Sequence, residues 1–74
     1  MREGHLSAVD KLILNVLDKS KRPLSTYQIG KRTKVSWSTA NTHCYKLKAL
    51  GKVDMEVVNN HLGQSKMLWR IIKP

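Results

Sequence analysis

An α+β domain, three helices followed by a C-terminal β-hairpin, is what this sequence predicts. Three observations carry that prediction. Apolar residues recur at helical spacing over Val9–Leu17. Ser7, Ser25 and Ser36 each stand where a helix would begin. Residues 53–72 alternate in two runs around the loop NNHLGQS. At 74 residues the chain reads as one domain over 1–74. A chain of this size buries only about 60% of the surface it exposes unfolded, so every apolar position matters.

The elements follow in order. Val9, Leu12, Ile13, Val16 and Leu17 fall on one stripe of a first helix over about 8–19, with Leu14 outside it. Ser7 with Asp10 forms a shortened capping box, and the carboxylate suits the positive end of the helix dipole. Pro23 closes the turn that follows, and Leu24 sits in a short strand. Ser25 and Gln28 make a second capping box for a helix over about 26–33, with Ile29 inward. Gly30 inside that helix costs about 1 kcal/mol, which points to close approach of another backbone. Ser36 caps a third helix over about 37–50, which Gly51 terminates, with Ala40, Cys44, Leu47 and Leu50 as its buried stripe. The hairpin spans about 52–72; if opposed positions sum to about 124, Asp54 faces Arg70 and Met55 faces Trp69 on the inner side.

Charge is distributed unevenly. Of 14 basic residues, eight lie in residues 21–52, which hold no acid at all, while the flanking segments nearly balance. The net charge of +9 is therefore gathered in one segment, and such a field attracts a polyanion. Other classes are disfavoured. The five acids are scattered singly, there is no glycine-rich phosphate loop, and His43 and Cys44 are adjacent, hence about 100° apart on a helix and badly placed as a catalytic pair. His5, His43 and His61 lack metal-ligand spacing. No enzymatic activity, cofactor or metal is expected. Cys44 reads as a small buried hydrophobe, and a lone cysteine fits a reducing, cytoplasmic setting. No run of about 18 apolar residues or secretory leader is visible in the sequence, so no membrane partner is expected.

The run LSTYQIGKRTKVSWSTANTHCYKLKALGKV, followed by a hairpin ending MLWRIIKP, resembles the winged helix-turn-helix domain over almost the whole chain. It looks like the MarR-type and ArsR-type transcription regulators and the short winged helices of archaea and their viruses. One departure is Lys34, which stands where the turn between the second and third helices usually carries glycine. The resemblance implies that the third helix enters the DNA major groove and that the hairpin is a wing. Ser38, Asn41, Thr42 and Tyr45 are then base-reading candidates, asparagine pairing bidentately with adenine. Tyr27, Lys31, Arg32, Lys34, Trp37, Lys46 and Lys48 are candidates for phosphate contacts, with Trp37 alternatively covering the turn before its helix. On the wing, Asn59, Asn60, His61, Gln64, Ser65 and Lys66 would follow the adjacent minor groove or backbone.

The function expected is sequence-specific double-stranded DNA binding by a transcriptional regulator, associated with the nucleoid if the source is prokaryotic or viral. The alternatives are a protein-docking module of the transcription or replication machinery and non-specific nucleic-acid binding. A homodimer is a further expectation, with Leu6, Leu14, Leu68 and Ile72 as apolar positions left over from the core.

Overall fold

The computed structural model describes residues 5–73. Its order is α1 (Ala8–Lys19), β1 (Leu24–Ser25), α2 (Thr26–Thr33), α3 (Trp37–Ala49), β2 (Val53–Asn59) and β3 (Ser65–Ile71). The three strands form one antiparallel sheet in the order β1-β3-β2, so the C-terminal strand is central. This is the winged-helix arrangement of three helices and a hairpin.

Local chemistry sets the helix ends. Ser7 Oγ accepts from the Asp10 amide at 3.2 Å while Asp10 Oδ2 accepts from the Ser7 amide at 2.9 Å. Ser25 and Gln28 repeat the exchange at 3.2 and 2.9 Å. Ser36 Oγ accepts from the Thr39 amide at 3.2 Å, which starts α3. Each exchange satisfies amides that the first turn of a helix leaves unpaired. α3 ends one residue short of expectation, at Ala49, with Leu50 as its cap. Gly51 follows at φ 76°, and the Lys52 amide returns to the Leu47 carbonyl at 2.9 Å, a Schellman closure.

The α2–α3 turn holds its shape without the usual glycine. Lys34 adopts the left-handed region at φ 63°, ψ 39°, and its amide and that of Val35 both donate to the Gly30 carbonyl. A Cβ on Gly30 would lie 3.1 Å from the Val35 carbonyl oxygen, which is why this helical position has no side chain.

Ile13, Leu17, Leu24, Ile29, Ala40, Cys44, Leu47, Val53 and Trp69 form the core. Trp69, on the central strand, donates from Nε1 to the buried hydroxyl of Thr26 at 2.8 Å, so the sheet and α2 share a polar tie inside an apolar interior. The β2–β3 register pairs Asp54 with Arg70 and Met55 with Trp69, as the sum of 124 requires.

Three expectations are corrected. The buried face of α1 is shifted from the stripe read off its apolar residues, although Val9, Ile13, Val16 and Leu17 still meet the core as expected. Leu12 is 47% exposed, Leu14 packs against the core, and Asp10 is wholly buried. The shift follows from what α1 must cover: it faces both α3 and β3, and a carboxylate is admitted because cations on α3 meet it. The leftover apolar patch does not form as expected either, since Leu6 and Leu14 are taken up by the core, whereas Ile72 stays exposed. On β2 the inward alternation stops after Met55, and Val57 is exposed, because the distal hairpin extends past the body with water on both faces.

Candidate nucleic-acid interface

α3 presents one face to the core through Ala40, Cys44 and Leu47, and the opposite face to solvent. Ser38 and Thr42 stand on that outer face and are exposed. Their hydroxyls are short and can both donate and accept, which suits several base edges.

The other two base-reading candidates are placed differently. The Tyr45 ring meets Trp69 edge-to-face at 5.2 Å, and its hydroxyl donates to Met67 Sδ at 3.3 Å. Tyr45 therefore braces α3 against β3. Asn41 is half-buried, and its Oδ1 is buried with no hydrogen-bond partner. Bidentate pairing with adenine uses both the oxygen and the amide nitrogen, so this side chain must rotate outward before it can read a base that way.

Among the phosphate-contact candidates, Lys31, Arg32, Lys34 and Lys48 are exposed and belong to none of the ion pairs among the described residues. Lys31 Nζ lies 5.6 Å from the centre of the exposed Tyr27 ring, a cation–π distance. Trp37, 52% exposed, opens α3. Lys46 is committed elsewhere, its Nζ 2.6 Å from Asp10 Oδ2.

That ion pair belongs to a cluster which sequence reasoning missed. His43 Nδ1 sits 2.6 Å from Asp10 Oδ1, so both carboxylate oxygens of a residue on α1 are held from α3, three positions apart on that helix. Burial alone would raise the Asp10 pKa. The hydrogen bonds from Lys46, from the Ser7 amide and from His43 outweigh it and hold the carboxyl well below its ordinary range. The legible signals were an acid in register with Ile13 and Leu17, and the i, i+3 pair His43 and Lys46.

At the wing, Asn60 organises the tip. Its Oδ1 accepts from the amides of Leu62 at 2.8 Å and Gln64 at 3.0 Å, and its Nδ2 donates to Gln64 Oε1 at 3.0 Å. Ser65 donates to Asn59 Oδ1 at 2.6 Å. Four of the six wing candidates thus hold the turn, and the exposed side chains of His61 and Lys66 make no hydrogen bond among the described residues. Further down, Arg70 bridges Asp54 at 3.1 Å and Glu56 at 3.4 Å, which offsets one of the two negative charges on β2. Asp18 pairs with Lys73 at 3.4 Å. Each of the four acids among the described residues has a cation partner, and none of them pairs with the exposed cations of α2, the turn or Lys48 on α3.

Burial pushes the Cys44 thiol up to about 12, so it is no nucleophile at neutral pH. Among the described residues no cluster of three or more histidines, cysteines or acids is placed to hold a metal, and no helix is long and apolar enough to cross a membrane.

No protein-family model matches this sequence, and no curated protein matches it. Solved structures do share the fold. A possible transcriptional regulator from Methanosarcina mazei superposes with a TM-score of 0.81 at 19% identity, over 92% of this chain and 57% of the other. BpsR of Bordetella bronchiseptica, whose DNA binding is regulated by 6-hydroxynicotinic acid, gives 0.74 at 19% identity, over 97% and 52%. Human N-acetylserotonin methyltransferase contains the same fold within 18% of its chain, matching 89% of this one with a TM-score of 0.72 at 15% identity. The chain spans about half the length of the two regulators it matches.

Proposed function

We propose that this chain binds double-stranded DNA as a sequence-specific transcriptional regulator, with the outer face of α3 in the major groove and the wing on the adjacent backbone or minor groove. One observation carries the reading: Ser38 and Thr42 are exposed on the outer face of α3, while α2, the turn before α3 and α3 itself carry the exposed cations Lys31, Arg32, Lys34 and Lys48, unpaired among the described residues, and no acid of their own. Phosphates would meet the cations and fix the register, and the hydroxyls would meet base edges. The likeness of the fold to regulators supports this, and the DNA binding of BpsR agrees with it. Working on DNA, the chain would belong in the cytoplasm, or with a nucleoid.

A selection of duplexes from a random pool, followed by titration at several salt concentrations, tests the proposal. With Lys31, Arg32, Lys34, Lys48 and Lys66 each neutralising a phosphate, log K should fall against log[salt] with a slope of about −4 to −5. Thr42→Val should weaken the selected duplex by about 1–3 kcal/mol and leave random duplex nearly unchanged, whereas Lys31→Ala should weaken both alike. A flat salt dependence, or no retention of any duplex in dilute buffer, refutes it. The second reading is a module that docks on an acidic protein surface, which the excess of exposed cations would equally serve. Under it the cations would still matter, but duplex would not compete with the protein partner.

A further inference from the structure

The chain has four aromatic residues, two tryptophans and two tyrosines. Two of them, Trp69 and Tyr45, pack on each other and serve the fold. The other two, Tyr27 and Trp37, are 62% and 52% exposed and contribute little to the core. They line the same open slot of about 530 Å³, which runs between the first turn of α2, the start of α3 and the beginning of β3. Met67 adds an apolar wall, and Lys66 stands at the edge. Lys31 lies over the Tyr27 ring, and no acid lines the slot. Gln28 also lines it; its oxygen is spent on the Ser25 amide, which leaves its amide hydrogens for another acceptor.

We propose that this slot holds an unpaired nucleobase of single-stranded nucleic acid, stacked against Tyr27 and Trp37 with its phosphates drawn to Lys31 and Lys66. Exposed rings beside cations form the combination that binds single strands, because every base offers a π-face and every nucleotide a negative charge. In a duplex the base faces are already stacked on one another, so the slot selects strand ends, bulges or melted segments. The apolar lining also separates it from a plain phosphate rest, which needs donors and no rings. The slot shares Lys31 and Lys66 with the duplex reading but uses the rings of Tyr27 and Trp37 in place of the hydroxyls of α3, so either reading can fail while the other stands.

Trp69 is fully buried, so the fluorescence of the intact chain that responds to a surface ligand comes from Trp37. An oligothymidine and an oligouridine of roughly ten nucleotides serve as the two probes, DNA and RNA. An oligomer of the same length made of abasic sites carries the same phosphates and no bases. Quenching of Trp37 by both base-bearing probes is expected, with the abasic strand bound about tenfold or more weakly. Preference for one probe over the other assigns the strand chemistry through the 2′-hydroxyl. Tyr27→Ala should weaken the base-bearing probes about tenfold, Tyr27→Phe should retain them, and neither should change binding of the abasic strand. Labelled-strand anisotropy on Trp37→Ala reads the second ring by a route that does not need its fluorescence. Equal binding of abasic and base-bearing strands, or indifference of both probes to Tyr27→Ala, overturns the proposal and leaves the slot a sugar-phosphate rest. Loss of duplex binding alone, with strand binding intact, would count against the major-groove reading and not against this one.

Discussion

Asp10→Asn tests the link between α1 and α3 directly. The substitution keeps the volume and an oxygen able to accept from the Ser7 amide, so the helix cap should survive largely intact. It removes the charge that receives Lys46 and His43, both at 2.6 Å. Charged hydrogen bonds of this kind are worth about 1.5–3 kcal/mol each. Lys46 is 40% exposed and can turn to water, so its share falls to about 1 kcal/mol or less. The loss should therefore total about 2–3 kcal/mol, out of the ~4–11 kcal/mol expected for a domain of this size. In a thermal melt that amounts to a drop of roughly 10–20 °C. The sign of the pH dependence is fixed by the direction of the shift. A carboxyl whose pKa is lowered on folding binds fewer protons folded than unfolded, so its contribution is full above the unfolded value near ~4 and declines as pH falls below it. Urea unfolding of both proteins across that range should show the gap closing by up to about 1.4 kcal/mol per pH unit below ~4. A gap of the same size at neutral and strongly acid pH would refute the account, and so would no gap at all.

Three further outcomes are expected. Lys34→Gly should relieve a left-handed backbone at φ 63° and stabilise the fold by about 0.5–1 kcal/mol in urea, the gain limited by the entropy glycine adds to the unfolded chain. The same substitution should weaken duplex binding and reduce the steepness of its salt slope by about 0.9. Thr26→Val keeps the shape and strands the Trp69 Nε1–H in the core, which should cost about 1–3 kcal/mol by denaturant titration. Cys44, with its thiol pushed up to about 12, should react with an aromatic disulfide reagent at pH 8 only as fast as the chain opens, its rate following urea unfolding.

Much of the fold is written in short-range chemistry. The serines at 7, 25 and 36 do in space what their spacing to Asp10, Gln28 and Thr39 suggests, and Gly51 stops α3 because only a left-handed residue continues the chain there. The hairpin register is legible for a similar reason: the loop NNHLGQS centres the turn near residue 62, and that centre sets Met55 opposite Trp69. What stays hidden is long-range. Asp10 is polar, so a hydrophobic pattern places it outside, and its partners are 33 and 36 residues away. Asn41 and Tyr45 share the polar character of Ser38 and Thr42, but Trp69 and Met67 on another element decide where Tyr45 points. The slot between Tyr27 and Trp37 depends on three elements meeting, which no local pattern encodes.

The Trp69–Thr26 bond anchors the hairpin at its base, while beyond Met55 and Met67 the two strands are held by little except each other. Such a construction resembles a fishing rod clamped at the handle. In the proposed duplex complex, force at the tip would bend the free length before it disturbed the helices, so grooves of different width could be followed without re-aiming α3. Tolerance for varied DNA shape would then reside in the wing, and discrimination among sequences in the helix it leaves still.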